Sequence, residues 1–372
     1  MLPFSLPDVA AAQTAARVAS PDLVARAQAF NPLASPLVPA SAQIAQNELD
    51  ARLKELGRAF SGDVGIAVKD LQTGFTTHYD GASRFPQQSV SKFWVALTAL
   101  DKVDKGALDL SAPVTVRRED LTLFHQPLRA LIKGDGFRTT LSDLLHRALT
   151  QSDNTANDFV MRRAGGPEAV RAYLSRMNID GVRFGPGERL LQSTTAGLSW
   201  RPEYSIGNAF YTARANLPME TRRKALTAYL TDPMDGATPL GIVDALGRLK
   251  NGELLSRAST QLLLSTMSNT RTGAQRLKGG LAPGWSLAHK TGTGQELAGT
   301  STGYNDIGIV TSPDGATYSV AVMIRKTSAP IPTRMHLMQN VVRTVIDYDR
   351  ALRSSQNLAT VTSNPISGSA RK

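Results

Sequence analysis

The chain has no cysteine among its 372 residues. This absence excludes disulfides, thiolate nucleophiles and zinc sites built on cysteine ligands. The five histidines are scattered and show none of the spacings typical of metal ligands. We therefore expect no metal and no other cofactor. A run of about eighteen uninterrupted apolar residues is also missing, which argues against a membrane-spanning helix.

The chain has fewer acidic than basic residues: 31 Asp and Glu against 42 Lys and Arg, which gives a formal net charge of +11. A basic protein raises the question of nucleic-acid binding. The basic residues are dispersed, however, and the longest cluster, Arg222–Lys224, has no aromatic residues interleaved with it. We expect no nucleic-acid partner and predict instead an attraction for small anionic ligands or an anionic envelope surface.

The two ends of the chain differ in amino-acid composition from the rest. Residues 1–42 are rich in Ala, Pro and Ser and predict a disordered leader or linker, while residues 353–372 predict a disordered tail. The apolar start is short and broken by proline, so a signal peptide is not convincing there. This N-terminal sequence is compatible with three interpretations: an atypical signal, a true start further upstream, or a protein that stays inside the cell.

Between these ends the order of elements predicts an α/β fold. Two strand-like runs, "DVGIAVKDL" and "GFTTHYD", come first, and three more follow near residue 285. We predict a five-stranded antiparallel sheet flanked by helices, formed by residues 43–88 and 270–352. Residues 89–269 are predicted to form an all-helical domain inserted between strands two and three.

A serine precedes a lysine by three residues at Ser89 and Lys92, at the mouth of the apolar run "FWVALTAL". One interpretation is that Ser89 caps a helix and Lys92 points into water. The other is that Ser89 is a nucleophile and Lys92, on the same helical face, is the base that activates it. Burial of Lys92 would disfavour its charged form and suit it to that role.

Two tripeptides downstream favour the second interpretation. Ser152-Asp153-Asn154 lies between two predicted helices and could supply a proton relay and an amide, although all three residue types also cap helices. Lys290-Thr291-Gly292 ends a predicted strand and could bind a substrate carboxylate, with glycine allowing close backbone approach. The ordered set of three is improbable as coincidence.

This motif set resembles that of class A serine β-lactamases and penicillin-binding proteins, over residues 45–350. The resemblance implies a β-lactamase-like fold with the active site between the two domains, and hydrolysis of β-lactam amides through an acyl-enzyme. It implies that Ser89 is acylated, Lys92 is its base partner and Ser152 passes a proton to the β-lactam nitrogen. Asn154 would contact the side-chain amide, and Ser89 and Thr293 would supply the oxyanion-hole N–H groups. The substrate carboxylate would bind to Lys290, Thr291, Gly292 and Thr293.

The resemblance weakens at the glutamate that activates water in class A enzymes. Aligning "SWRPEYS" with the family pattern matches Trp200 and Pro202 but puts Arg201, which cannot accept a proton, at the glutamate position. Glu203 or Glu188 could replace it if the loop is rebuilt. Otherwise the protein is a penicillin-binding-type D-Ala-D-Ala peptidase or esterase that deacylates slowly, or a non-catalytic envelope-binding protein.

Further expectations follow from the same resemblance. The substrate is a small molecule, either a β-lactam or a peptidoglycan stem peptide, and the protein is a periplasmic or secreted monomer. Phe124 is either a wall of the cleft or a core residue. Arg325 is either an additional carboxylate contact or a solvated side chain.

Overall fold

The computed structural model of the protein describes residues 40–362, with side chains through residue 354. Its α-helices are α1 (Ala40–Ala59), α2 (Lys92–Asp104), α3 (Leu141–Thr150), α4 (Asn154–Arg163), α5 (Gly166–Arg176), α6 (Glu188–Thr195), α7 (Ala209–Ala215), α8 (Met219–Thr231), α9 (Pro239–Lys250), α10 (Arg257–Ser268) and α11 (Ile331–Thr362). Its strands are β1 (Asp63–Asp70), β2 (Thr76–Tyr79), β3 (Phe85–Pro86), β4 (Pro113–Val116), β5 (Phe137–Thr140), β6 (Gly236–Ala237), β7 (Ser286–Thr293), β8 (Glu296–Leu297), β9 (Thr300–Thr311) and β10 (Thr317–Thr327).

The five predicted strands form one antiparallel sheet in the order β2-β1-β10-β9-β7. The short strand β8 pairs with β9 in addition. Side chains of β10 alternate between the two faces, as the two-residue period of a strand requires. Val320 and Val322 pack with Leu53 of α1 and Val341 of α11, whereas Met323 joins the core formed with the helices on the other face. Both faces are therefore covered.

The helical layer is built around α2, whose residues from Lys92 to Leu100 are all buried. A helix that is apolar all round has to be enclosed, and α2 contacts α3, α4, α5 and α10. One continuous apolar core joins these helices to Ala67 and Ile307 of the sheet. The domain boundaries predicted at 88/89 and 269/270 remain predictions.

Three details of the predicted organisation are wrong. The segment 89–269 is not all helical, because the β-branched run of β4 pairs with β5. The predicted leader already contains the start of α1 at Ala40, since Ala45, Leu49 and Leu53 bury an apolar stripe. The tail predicted from residue 353 is helical as far as Thr362, because no Gly or Pro interrupts it before Pro365. Residues 1–39 and 363–372 lie outside the described part of the chain.

Threonine side chains cap two of the helices, α3 and α9. Thr140 accepts a hydrogen bond from the backbone N–H of Asp143, and Thr238 accepts one from that of Gly241. Within residues 40–362, none of the helices combines the length and apolar character that crossing a bilayer requires.

Asn305 of β9 connects the sheet to the turn that precedes α2. Its Nδ2 donates to the carbonyl oxygens of Pro86 (2.7 Å) and Gln87 (3.1 Å), and its Oδ1 accepts from the backbone N–H of Ile324 (3.1 Å). The residue is fully buried. Because Asn305 ties both carbonyl oxygens to β9, it holds the turn that contains Ser89 against the sheet.

We therefore expect Asn305→Ala to lower the free energy of unfolding by about 3 kcal/mol, because it leaves buried polar groups unpaired. Chemical denaturation measures this change. Asn47→Ala, at an exposed position of α1, is the control and should change stability by less than about 0.5 kcal/mol. Equal effects of the two substitutions would contradict this role for Asn305.

Candidate active site

Ser89 lies in a 3₁₀ turn, Gln88–Ser91, immediately before α2. Lys92 Nζ donates to Ser89 Oγ at 2.8 Å, and the Lys92 side chain has no solvent-exposed surface. Ser89 makes no capping hydrogen bond. The alternative of a capped helix with a lysine in water is therefore wrong, and the predicted pairing of Ser89 with Lys92 is present.

Glu188 occupies the other side of the lysine. Its carboxylate forms a short ion pair with Lys92, and its side chain is only 4% exposed. The Glu188 backbone N–H donates to Asp158 (3.1 Å to Oδ2), and Gln192 Nε2 donates to Glu188 Oε2 at 3.1 Å. Lys92 thus bridges a serine hydroxyl and a carboxylate. Burial, and next the negative charge of Glu188, raise the pKa of Asp158 to about 6.

Arg201, placed at the glutamate position by the sequence alignment, is not in the site. Its side chain is 67% exposed and lies 3.7 Å from the carboxylate of Glu203, which is 56% exposed. That placement is wrong, and of the two alternatives the structure brings only Glu188 to Lys92. The match to Trp200 and Pro202 was misleading, because these residues lie after α6, which begins at Glu188. The usable signal was Glu188-x-x-x-Gln192, a carboxylate and an amide one helical turn apart.

A second lysine–serine pair faces the first. Ser152 lies between α3 and α4 with a φ of 60°, and Lys290 Nζ donates to its Oγ at 2.9 Å. Asp153, not Ser152, caps α4. Asn154 Nδ2 donates to the carbonyl oxygen of Leu123 at 2.9 Å, while its buried Oδ1 has no partner. Ser152 and Asn154 therefore do not cap a helix.

The Lys290–Thr293 segment forms the end of β7. Lys290 is fully buried, and this burial, followed by the positive charge of Lys92, holds the pKa of Lys290 well below its usual range. A Cβ atom at Gly292 would lie 2.3 Å from the carbonyl oxygen of Gln87. Only glycine lets β7 approach the Ser89 turn this closely.

Arg276 belongs to the site but was not predicted. Its Nη1 donates to the carbonyl oxygens of Gly292 (2.9 Å) and Asn305 (2.7 Å), and its Nη2 donates to Thr293 Oγ1 at 2.6 Å. The carboxylate contact proposed for Arg325 is wrong, because that side chain lies over the Phe85 ring and lines a different cavity. Nothing in the local sequence "TGAQRLK" distinguishes Arg276 from other arginines.

These groups surround a cleft of about 540 Å³. Lys92, Glu188 and Lys290 lie behind its surface. Phe124 forms part of the wall, as one of the two predictions for it stated. The lining residues include Ser89, Phe124, Ser152, Asn154, Gln192, Arg214, Thr272, Arg276, Thr291, Thr293, Gln295 and Glu296.

A serine hydroxyl beside a buried lysine, with a carboxylate on the far side of that lysine, is typical of hydrolases that form a covalent acyl-enzyme. The chain belongs to the β-lactamase enzyme family, whose model matches residues 48–348. The serine β-lactamase function expected from the motifs is thereby confirmed.

Individual relatives agree with this assignment. A β-lactamase of Bacteroides uniformis is 30% identical over 82% of this chain and 92% of its own length. The extended-spectrum β-lactamase PER-1 of Pseudomonas aeruginosa is 29% identical over 77% of this chain and 82% of its own. The solved structure of a β-lactamase from Chitinophaga pinensis covers 83% of this chain and 99% of its own, with 27% identity and a TM-score of 0.64. The predicted β-lactamase-like fold is confirmed.

Asp235 anchors the residue before Ser89. Gln88 has a strained φ of 52°, and its backbone N–H donates to Asp235 Oδ2 at 2.7 Å. The Tyr229 hydroxyl donates to Asp235 Oδ1 at 2.9 Å. Burial raises the pKa of Asp235 to about 6. The stabilising contribution of this carboxyl is therefore complete below pH 4 and is lost as the pH rises through about 6.

Asp235→Asn removes the ionisation and keeps an acceptor. The native protein loses this stabilisation as the pH rises, whereas the variant does not. We therefore expect the difference in the free energy of unfolding, variant minus native, to grow by about 3 kcal/mol from pH 4 to pH 7, as a pKa displaced by about two units requires. Thermal unfolding across this range should show the difference in Tm, variant minus native, growing by several degrees. A difference in Tm that is independent of pH would contradict the raised pKa.

Proposed function

We propose that the protein opens the β-lactam amide bond through an acyl-enzyme on Ser89 and releases it with water activated by Glu188. The bridge made by Lys92 Nζ between Ser89 Oγ and the Glu188 carboxylate carries this proposal. A proton passing from Lys92 to Glu188 leaves a neutral amine that accepts the proton of Ser89. The serine oxygen then bonds to the lactam carbonyl carbon.

The second pair serves the leaving group. As the C–N bond breaks, Ser152 gives its proton to the lactam nitrogen. Lys290, whose Nζ donates to Ser152 Oγ, replaces the proton that Ser152 has lost. The lowered pKa of Lys290 favours that transfer. Before deacylation, Glu188 loses to solvent the proton that it took from Lys92, and Lys290 regains one from solvent. The Glu188 carboxylate then takes a proton from water, whose oxygen bonds to the ester carbon, and the proton passes through Lys92 to the departing Ser89 oxygen.

The polar groups of the cleft that take no part in proton transfer are available for contacts with the substrate. The unpaired Oδ1 of Asn154 is an acceptor for the amide N–H of the acyl side chain. The Ser89 and Thr293 N–H groups serve the developing oxyanion, as the family resemblance implies. We propose that the substrate carboxylate binds to the side chains of Thr291, Thr293 and Arg276, with Lys290 and Gly292 supporting this edge of the cleft.

The slow peptidase or esterase is the less favoured alternative. It depended on the absence of a deacylation base, and the buried Glu188 beside Lys92 removes that reason. The proposal includes a periplasmic or secreted enzyme that acts on a small molecule as a monomer. It needs no nucleic acid and no cofactor.

Glu188→Gln tests the deacylation step. We expect kcat for a chromogenic cephalosporin to fall by about 10²–10⁴-fold, the usual contribution of a positioned base. Intact-mass measurement should then show a lasting adduct on Ser89. Arg201→Gln, at the exposed position, is the control and should keep native turnover. Native turnover of Glu188→Gln would contradict the role of Glu188 as the base, and loss of turnover without any adduct would place its main role in acylation.

Arg276→Ala tests the carboxylate contact. Because a charge-assisted hydrogen bond is lost in the Michaelis complex, we expect KM to rise about tenfold or more, with a smaller change in kcat. Arg276→Lys keeps the charge and should recover part of the loss. Steady-state kinetics separates the two constants. Equal KM values for all three proteins would refute the contact.

A further inference from the structure

The segment between α6 and β6 contributes to one wall of the cleft. Its helix α7 is anchored by Phe210, whose ring lies 5.0 Å from that of Phe124 and 5.8 Å from that of Tyr204. These aromatic residues form a small apolar cluster of their own. Because the cluster holds α7, the last turn of that helix has a fixed position beside β8.

Arg214 lies in this last turn and lines the cleft. Its Nη2 donates to the carbonyl oxygen of Glu296 at 2.6 Å, which fixes the guanidinium against the edge of β8. Its Nε is buried without a partner. A guanidinium has five N–H donors, so most of the donors of this half-buried side chain are not used by the protein.

No carboxylate within residues 40–354 forms an ion pair with Arg214. Burial, and next the positive charge of Arg222, lower the pKa of Arg214, although a guanidinium remains charged at neutral pH. The Nε of Arg222 is also buried without a partner. The carboxylate of Glu296 accepts from Ser301 Oγ at 3.0 Å. Glu296 also lines the cleft, but within residues 40–354 neither arginine forms an ion pair, and two neighbouring cations without one favour a ligand anion.

Arg276 is engaged elsewhere in the same cleft, with the end of β7. The proposed contacts there use the one carboxylate that belongs to the bicyclic β-lactam nucleus. A second anion on the ligand would have to be carried by its acyl side chain. We propose that Arg214 forms a subsite for a carboxylate on the acyl side chain of the substrate, a proposal that rests on the proposed function.

Two penicillins that differ by one carboxylate test the subsite: benzylpenicillin and α-carboxybenzylpenicillin. The readout is the ratio of their kcat/KM values, carboxylated over neutral. We expect Arg214→Gln to lower this ratio about tenfold, the size of one charge-assisted hydrogen bond. Arg214→Lys should lower it less. Added salt should lower the ratio for the native protein and leave that of Arg214→Gln nearly constant.

Arg223→Gln is the matched control, because Arg223 is an exposed arginine of α8. This substitution removes the same charge from the segment between α6 and β6, but outside the cleft. It should keep the native ratio of the two kcat/KM values. If Arg214→Gln and Arg223→Gln both keep the native ratio, or both lower it equally, the subsite is refuted.

A binding measurement separates this proposal from the proposed function. Ser89→Ala cannot be acylated at this position, so calorimetry gives the Kd of each penicillin without turnover. We expect Ser89→Ala to bind the carboxylated penicillin about tenfold more tightly relative to the neutral one than Ser89→Ala/Arg214→Gln does. Identical Kd ratios would overturn the subsite even if hydrolysis is normal. Absent hydrolysis with the expected Kd ratios would overturn the proposed function alone.

Discussion

The ammonium group of Lys92 is the constraint on which the rest of the site depends. A fully buried cation is expensive unless it is paired and hydrogen-bonded, and here Ser89 and Glu188 provide those partners. Helix α2 encloses the lysine stem, and α6 has to begin where Glu188 reaches its amine.

The backbone before Ser89 is held in an unfavourable conformation by groups from three different parts of the chain. Gln88 has a positive φ, which costs a non-glycine residue of order 1–3 kcal/mol. Asp235 binds its N–H, Tyr229 binds its side chain, and Asn305 binds the two preceding carbonyl oxygens. Since each anchor is buried, the serine hydroxyl is presented to the cleft in one orientation.

Sequence reasoning worked where chemistry is carried by short, local patterns. The spacing of Ser89 and Lys92, the Ser152 and Lys290 tripeptides and the five strands are all readable along the chain. It failed where partners are set by folding alone. Glu188 lies at the start of α6, whereas a tryptophan–proline match placed the alignment at Arg201, after that helix. Arg276 is recognised only by its contacts with Gly292 and Thr293, which lie on another element.

Several buried polar atoms remain unpaired in the described part of the chain, and three of the residues that carry them line the cleft: Asn154, Arg214 and Gln295. An unpaired buried group costs about 1–3 kcal/mol, so a protein selected only for stability would pair it or replace it. The three differ in kind, because Asn154 and Gln295 leave oxygen acceptors while Arg214 leaves a donor. A ligand that satisfies all three must offer two donors and one acceptor. An acylamino side chain that carries a carboxylate supplies one N–H and the acceptor, which match Asn154 and Arg214, and the oxygen of Gln295 needs a second donor.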